Sequence, residues 1–220
     1  MTTAAPTNLF RFESQARDCG FNRIVGIDEV GRGPLAGPVV AAAVLFLSQA
    51  TIPEGLTDSK KLSHEERVRI ADELHASDSV VLAIGQVEPE DIDKLNILRA
   101  TFKAMLQAVA AIQPAPDFAL VDGNAVPAEL PCPGKAVVKG DSLSASIAAA
   151  SIVAKVHRDR LMIELDNIFP EYGFADHKGY GTASHVAALE QLGPCPVHRR
   201  SFAPVARLTA PGPQQLTWGI

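Results

Sequence analysis

The sequence predicts an α/β domain in which about five strands alternate with helices, followed by a smaller C-terminal segment. Three observations support this prediction. Short apolar runs bounded by turn residues alternate with longer stretches in which apolar residues recur every three or four positions. A composition of 47% hydrophobic and 20% charged residues is typical of a globular chain, and 220 residues suffice for a sizeable core. The last fifty residues are richer in Gly, Pro, His and Arg.

The strands are predicted from apolar runs that are too short for helices and rich in β-branched residues. A proline directly precedes the second run, which fits the start of a strand. The five predicted strands are Ile24–Val30, Val39–Leu47, Val80–Val87, Phe118–Val121 and Ala136–Val138.

The helices are predicted from capping residues and from apolar periodicity. Ser63 and Glu66 form a capping-box pattern, so a helix is expected to begin at Ser63. A second helix begins at Pro89, because proline suits a first helical turn. Its apolar face consists of Leu95, Leu98, Phe102, Met105, Val109 and Ile112. A long third helix ends before Pro170, and its stripe consists of Leu143, Ile147, Ala150, Ala154, Leu161, Leu165 and Ile168. A short helix is expected at Ser184–Leu192.

These elements divide the chain into four predicted parts. Residues 1–22 form an N-terminal arm with some helix, and residues 23–172 form the α/β domain. Residues 173–205 form a small C-terminal helical segment, and residues 206–220 form a flexible tail.

The charge balance limits how this protein can bind a polyanion. The net charge is −5, from 20 basic and 25 acidic residues, and only 5% of residues are aromatic. A nucleic-acid coat protein or a binder that stacks many bases is therefore disfavoured. A polyanion must be bound by local basic clusters or through metal ions. The basic clusters are Lys60-Lys61, Lys139, Lys155 with His157 and Arg158, His177-Lys178, and His198-Arg199-Arg200.

Cysteine usage and hydropathy predict a soluble, cytoplasmic protein without a membrane span. Cys19, Cys132 and Cys195 are far apart and form no C-x-x-C pair, as expected of reduced thiols. The longest apolar run, residues 39–47, has nine residues, whereas a span needs about 20. No signal-peptide core is present near the N-terminus. A monomer is expected.

Carboxylates stand at the ends of two predicted strands and at a helix start. Asp28-Glu29 ends the first strand, Asp122 ends the fourth, and Asp141 precedes the long helix. Each has an ordinary structural interpretation: an exposed turn, an Asp-Gly turn and an N-cap. Together they indicate a binding site, because ligands of open α/β sheets bind beyond the carboxyl ends of strands. Four carboxylates without His or Cys suit Mg²⁺ or Mn²⁺, and such a site can hold two metal ions and cleave phosphodiesters.

Two details qualify this prediction. Adjacent side chains on a strand point to opposite faces, so Glu29 is expected to reach a metal from the turn, through its carbonyl or through water. The segment from Gly31 to Gly37 has the spacing G-x-G-x-x-x-G and is followed by a strand, unlike a dinucleotide-binding fingerprint. Glycines beside carboxylates would instead let backbone N–H groups and Arg32 approach a phosphate or ribose closely.

Seven motifs in the chain resemble those of bacterial ribonuclease HII. They occur in family order between about residues 24 and 204: Ile27–Val39 (IDEVGRGPLAGPV), Asp58–Leu62 (DSKKL), Val121–Asn124 (VDGN), Lys139–Ser142 (KGDS), Ala149–Lys155 (AASIVAK), Lys178–Thr182 (KGYGT) and His198–Phe202 (HRRSF). The resemblance implies a ribonuclease H-like fold with a central mixed sheet flanked by helices. It also implies cleavage of the RNA strand of RNA–DNA hybrids and incision 5′ to single ribonucleotides in duplex DNA. The products would carry 3′-hydroxyl and 5′-phosphate ends, and Mg²⁺ or Mn²⁺ would be required.

The resemblance also assigns residues by position. Asp28, Glu29, Asp122 and Asp141 match the family's four acidic active-site residues. The loop Gly31, Arg32 and Gly33 matches its ribonucleotide-sensing loop, and Tyr180 matches the tyrosine that packs on the sugar at the RNA–DNA junction. Substrate contacts are also expected from Lys60, Lys61, Arg199 and Arg200.

Two other functions remain open at this point. Another two-metal nuclease or transferase could share the fold, although it would not need the Gly-Arg-Gly loop and Tyr180. A non-catalytic nucleotide-binding module could use the glycines, although no helix follows them. The segment Gln214–Trp218 resembles a peptide that binds a sliding clamp, and an unstructured end is the alternative.

Overall fold

A computed structural model describes residues 9–47 and 52–209 of the chain. Its centre is a five-stranded mixed sheet with strand order β3-β2-β1-β4-β5. Strand β2 is antiparallel to both β1 and β3, whereas β4 is parallel to both β1 and β5. The strands are β1 (Ile24–Val30), β2 (Val39–Phe46), β3 (Val80–Val87), β4 (Phe118–Asp122) and β5 (Gly134–Val137).

The helices cover both faces of this sheet. They are α1 (Arg11–Asp18), α2 (His64–Ala76), α3 (Pro89–Leu95), α4 (Ile97–Ala110), α5 (Ala145–Ile168), α6 (Phe174–His177), α7 (Ala183–Leu192) and α8 (Ala203–Thr209). Alternate β2 residues point to opposite faces: Ala41 and Ala43 pack towards α4, and Ala42 and Val44 pack towards α2 and α5. The predicted α/β class, a mixed sheet flanked by helices, is confirmed.

The strand predictions are confirmed for β1 and β3, and β2 is one residue shorter than predicted. The fifth strand is shifted, because it begins at Gly134 rather than Ala136. Gly134 and Lys135 are exposed on the sheet edge, so they do not contribute to an apolar run.

The predicted helix beginning at Pro89 is two helices. Asn96 adopts φ 69°, a left-handed conformation that ends α3. Its side chain then accepts a hydrogen bond from the backbone N–H of Arg99 and caps α4. The apolar periodicity continues across this break, which explains why the sequence pattern predicts one helix.

Side-chain caps also define the starts of α2 and α5. The capping box of Ser63 and Glu66 is confirmed at the start of α2. The interpretation of Asp141 as an N-cap is wrong, because Ser144 caps α5 and Asp141 lies in a 3-10 helix at Gly140–Ser142. Its carboxylate is therefore available for another role.

Helix α1 is held against the N-terminus of α5 by a buried carboxylate. The Oε1 atom of Glu13 accepts hydrogen bonds from the Ser144 hydroxyl at 2.6 Å and from the Ser146 backbone N–H and hydroxyl at 2.9 and 2.7 Å. An anionic group near a helix N-terminus is stabilised by the helix dipole. This part of the N-terminal arm is thus packed on the domain.

The C-terminal segment packs on one end of the domain around Tyr172, Phe174 and Leu189. An isolated β-bridge between Ala36 and His198 ties it to the segment after β1. Helix α8 extends to Thr209, beyond the end of the predicted helical segment. The segment Gln214–Trp218 lies outside the described residues. In the described ranges, no helix combines the length and apolar character that a membrane span requires.

Candidate active site

Two parallel strands deliver the first three carboxylates to one end of the sheet. Strands β1 and β4 pair with Ile27 beside Val121. The next residues, Asp28 and Asp122, therefore follow at the carboxyl ends of neighbouring strands. Glu29 comes directly after Asp28, just before β1 ends at Val30. This edge of the sheet is where ligands bind in α/β folds.

The fourth carboxylate arrives on the 3-10 helix before α5. The backbone N–H of Gly140 donates a 2.7 Å hydrogen bond to Oδ1 of Asp122, which fixes this turn against the end of β4. Asp141 is 5% exposed, and its Oδ2 accepts a 3.0 Å hydrogen bond from Nζ of Lys60. The structure therefore brings all four predicted acidic residues to one region.

Three of these carboxylates are held in surroundings that disfavour their charge. Burial, and then the charges of Asp122 and Glu29, raise the pKa of Asp28 well above its ordinary value, against a hydrogen bond from Ser151. Burial raises the pKa of Glu29, although the Arg32 guanidinium 3.2 Å away opposes this effect. Burial also raises the pKa of Asp122, against the Gly140 N–H. The site thus has an excess of buried negative charge.

A cavity of about 290 Å³ opens over these carboxylates. Asp28 and Glu29 both line it although they are adjacent on β1, and Glu29 does so from within the strand rather than from the turn expected from the sequence. The complete lining consists of Asp28, Glu29, Val30, Ser59, Lys60, Arg67, Asp122, Ser151, Lys155 and Tyr180.

The chemistry of this donor set fits a divalent cation such as Mg²⁺ or Mn²⁺. Asp28, Glu29 and Asp122 offer carboxylate oxygens in the cavity lining, which contains no competing His or Cys, and Asp141 lies outside this lining. Burial, and then the charges of neighbouring carboxylates, raise the pKa values of Asp28 and Asp122, and a bound cation would stabilise both ionised carboxylates. Across residues 9–47 and 52–209, no three His, Cys, Asp or Glu side chains already converge on one metal position. Asp141 instead bonds to Lys60.

The two glycines of the predicted sensing loop have different surroundings. Gly31 is buried, and a β-carbon there would collide with the side chain of Arg158. Gly33 is exposed, and the one side chain near its β-carbon position is the Tyr180 ring, with Cε1 3.7 Å away. The expectation that both glycines admit a substrate therefore fits Gly33, whereas packing and a positive φ require Gly31.

Tyr180 faces this loop from the C-terminal segment. It is 44% exposed, although it is a large aromatic residue, and its ring lines the cavity beside Gly33. A single exposed aromatic ring beside a polar cavity has the geometry of a stacking platform.

The predicted basic contacts separate into surface and interior residues. Lys60, Lys61 and Arg200 are exposed. Arg199 is fully buried, and its guanidinium donates to the carbonyls of Gly31, Arg32 and Gly37. It has no free surface for a phosphate, so the structure does not favour the expected direct substrate contact for Arg199.

From the sequence, Lys155 and Arg158 were named only as a basic cluster, and no role at the site was given to Ser151 or to the face of α5 that these residues share. Ser151, Lys155 and Arg158 lie on one face of α5, spaced by four and three residues. The Ser151 hydroxyl is 2.9 Å from the Ser59 hydroxyl, and Lys155 pairs with Asp159 at 2.7 Å. Polar residues at this spacing in a helix rich in Ala and Ile are the signal that would have found them.

Comparison with known proteins identifies the family of this chain. The family model described as Ribonuclease HII matches residues 25–205. The chain belongs to the ribonuclease HII family. It is 56% identical over 199 residues to Ribonuclease HII of Ruegeria pomeroyi, and this alignment covers 90% of this chain and 84% of that protein. It is 54% identical over 197 residues to Ribonuclease HII of Chlamydia abortus, and this alignment covers 90% of this chain and 92% of that protein.

Solved structures show the ribonuclease H-like fold. Ribonuclease H2 from Pyrococcus horikoshii superposes with a TM-score of 0.71 at 24% identity, covering 84% of this chain and 96% of that one. Bst-RNase HIII in complex with Mn²⁺ superposes with a TM-score of 0.64 at 20% identity, covering 95% of this chain and 74% of that one. Ribonuclease HII in the PCNA:RNase HII complex from Archaeoglobus fulgidus superposes with a TM-score of 0.62 at 28% identity, covering 77% of this chain and 87% of that one. This member of the ribonuclease HII family is thus a hydrolase, an endonuclease of the ribonuclease H type.

Proposed function

We propose that this enzyme cleaves the RNA strand of RNA–DNA hybrids and incises on the 5′ side of single ribonucleotides in duplex DNA. The observation that carries this proposal is the cavity that Asp28, Glu29 and Asp122 line together with Tyr180, whose ring lies beside Gly33. Carboxylates alone would fit many nucleases. A loop and a ring that can distinguish a ribose from a deoxyribose favour this substrate.

The four carboxylates are proposed to hold Mg²⁺ or Mn²⁺. Asp28, Glu29 and Asp122 would supply oxygens from the strand ends, and Asp141 from the 3-10 helix. When bound, two such ions supply Lewis-acid stabilisation of the attacking and leaving oxygens of an in-line displacement. Bst-RNase HIII, a structural neighbour, is described as a complex with Mn²⁺. Water adds to phosphorus and the bond to the 3′ oxygen breaks, leaving 3′-hydroxyl and 5′-phosphate ends.

The loop Gly31–Gly33 is proposed to recognise the 2′-hydroxyl. This group is the one chemical mark that distinguishes an embedded ribonucleotide from its DNA neighbours. A site that hydrogen-bonds a hydroxyl discriminates strongly against substrates that lack it, because its own polar groups are then left unpaired. The exposed Gly33 backbone allows such a close approach, and Arg32 lies at the same edge.

Tyr180 is proposed to pack on the sugar of the next nucleotide. Its ring has room for a deoxyribose, whereas a second 2′-hydroxyl would crowd it. The ring is half exposed at 44%, so this packing requires no rearrangement of the core. The loop and the ring together would read one ribose followed by one deoxyribose.

Local cations are proposed to bind the phosphate backbone, since the net charge is −5. Lys60 lines the cavity, Lys61 is the exposed residue that follows it, and the exposed Arg200 lies on the C-terminal segment. Lys60 also has its pKa raised by the hydrogen bond to Asp141, so it is fully charged at neutral pH.

A contact between the segment Gln214–Trp218 and a sliding clamp is proposed from the sequence alone. The complex of the Archaeoglobus fulgidus relative shows that a ribonuclease HII can bind PCNA. Chains with and without residues 210–220 would be compared for binding to immobilised clamp, and equal binding would contradict the proposal. A cytoplasmic monomer is also proposed, and light scattering in solution tests its oligomeric state.

The central test uses a DNA duplex that carries one ribonucleotide, incubated with and without Mg²⁺. We expect a single metal-dependent cut 5′ to the ribonucleotide, and no cut in the matched all-DNA duplex. A hybrid with a continuous RNA strand should also be cleaved. Cleavage of the all-DNA duplex would favour a general nuclease, and binding without cleavage would favour a nucleotide-binding module.

A further inference from the structure

Two buried arginines support the segment from residue 31 to residue 38. The first, Arg158 on α5, is fully buried. Its Nε donates to the carbonyl of Pro38 at 3.0 Å, its Nη2 to that of Ala36 at 3.1 Å, and its Nη1 to that of Lys178 at 3.0 Å. One guanidinium therefore joins this segment to the residues immediately before Tyr180.

The second, Arg199, lies in the C-terminal segment and is also fully buried. Its Nε donates to the carbonyl of Gly37 at 2.9 Å, its Nη1 to that of Arg32 at 3.1 Å, and its Nη2 to that of Gly31 at 2.6 Å. The two guanidiniums together make six hydrogen bonds to main-chain carbonyls, five of them within residues 31–38.

Such an arrangement is costly to maintain. A buried guanidinium is usually paired with a carboxylate, whereas here its bonds go to neutral carbonyls. Burial lowers the pKa of Arg158 to about 10, and burial and then the charge of Arg158 lower the pKa of Arg199 to about 9. Both remain charged at neutral pH. Apolar side chains could stabilise a loop without the free-energy cost of burying charge. We therefore infer that the two guanidiniums are needed to hold the main chain in one position.

The position that they fix is the gap between the loop and Tyr180. Leu35 donates its backbone N–H to the carbonyl of Gly179 at 2.8 Å, so the two segments already adjoin. Arg158 adds a second link through Lys178. Beyond these two links, the exposed Gly33 lies beside Cε1 of the Tyr180 ring.

We propose that Arg158 and Arg199 are positioning residues that set this gap and thereby determine how strongly the enzyme favours a single embedded ribonucleotide. The inference rests on the proposed function. A duplex with one ribonucleotide offers one register in which a ribose meets the loop and a deoxyribose meets the ring. A continuous RNA strand offers a ribose in every register, so an imprecise gap affects its cleavage less.

The test is the ratio of kcat/KM on the one-ribonucleotide duplex to that on the all-RNA hybrid. Arg158→Lys and Arg199→Lys keep the charge, but a lysine ammonium cannot reach three separated carbonyls. We expect each variant to lower the ratio by about 10- to 100-fold, as misplacement of a reacting group by about 1 Å does. A loss of folded protein would lower both activities equally and leave the ratio unchanged, so the ratio reports positioning.

Two controls separate this effect from general destabilisation. Arg160→Lys changes an exposed arginine on the same helix and should leave the ratio unchanged. Met162→Leu alters the packing below Gly37, where a β-carbon would lie 2.5 Å from the Met162 sulfur, but keeps both guanidiniums. It should lower Tm more than it changes the ratio.

The outcomes distinguish the two levels of the argument. If the wild type fails to cut at single ribonucleotides, the proposed function is wrong, and this inference with it. If the wild type cuts them and both lysine variants keep the wild-type ratio, the inference alone is overturned. If one variant does not fold, the ratio measured for the other decides.

Discussion

Replacing Asp28 with Asn should raise the stability of the metal-free protein while abolishing cleavage. Asp28 is 6% exposed, and its pKa is raised by burial and by the charges of Asp122 and Glu29. At neutral pH its ionised form therefore destabilises the folded state. Asparagine removes this charge and keeps an oxygen that can accept the 2.7 Å hydrogen bond from the Glu29 N–H.

The size of the effect follows from proton linkage. A tenfold change in the proton affinity of one group corresponds to about 1.4 kcal/mol. In a protein of this size, 1 kcal/mol shifts Tm by about 2–4 °C. We therefore expect Tm to rise by roughly 3–6 °C for each such tenfold change. Because the folded pKa of Asp28 is raised, the penalty is absent below the unfolded pKa and complete only above the folded one. The gain in Asp28→Asn should vanish in acid.

Calorimetry with and without Mn²⁺ would measure this prediction. A ligand at about 100 times its Kd stabilises a protein by about 2.7 kcal/mol, so Mn²⁺ should raise the wild-type Tm by several degrees and that of Asp28→Asn by less. Asp72→Asn is the matched control, because Asp72 is exposed and pairs only with Arg160 in the described structure. A metal-free Asp28→Asn protein less stable than wild type would show that the Asp28 charge does not destabilise the fold, and one stabilised equally by Mn²⁺ would show that Asp28 is not a metal ligand.

Three further predictions concern substrate recognition. Tyr180→Phe should keep most of the activity on a one-ribonucleotide duplex and Tyr180→Ala should lose far more, since the ring makes the packing; equal activity of the alanine variant would make Tyr180 merely structural. Lys61→Ala should make log K for hybrid binding in Ca²⁺ less dependent on log salt by about 0.9; an unchanged slope would leave Lys61 as solvated surface. Gly33→Ala should fold normally, because its β-carbon would meet only the Tyr180 ring at 3.7 Å, yet cleave single ribonucleotides poorly, whereas Gly31→Ala should lower Tm. Full activity of Gly33→Ala would mean that no sugar approaches this position.

The sequence predicted most of the sheet well because buried strands require short apolar runs, which are visible in the local sequence. The runs around β1 and β3 are bounded by turn residues and were placed correctly. The break at Asn96 could not be read from the sequence, since the apolar spacing of Leu95, Leu98 and Phe102 continues through it, although Leu98 is exposed in the structure. The shifted start of β5 at Gly134 was missed because edge strands need not be apolar.

At the site, the sequence predicted which residues gather but not how they are oriented. The neighbouring strand ends explain why Asp28 and Asp122 could be grouped in advance. Burial of Arg199 could not be anticipated, because it stands next to the exposed Arg200 and its partners are carbonyls more than 160 residues away. The different roles of Gly31 and Gly33 likewise depend on Arg158, which only the folded chain brings beneath the loop.

The hydrogen bonds between Glu13 and the start of α5 bear on when, during folding, the active site is completed. Its partners, Ser144 and Ser146, lie 131 and 133 residues further along the chain, so α1 is synthesised long before its docking site exists. The turn carrying Asp141 lies just before Ser144, so docking of the first helix and completion of the acidic cluster depend on the same part of the chain. Contacts of such long range form slowly. Refolding protein should therefore regain its far-ultraviolet circular dichroism before its cleavage activity, and simultaneous recovery of the two signals would contradict this order.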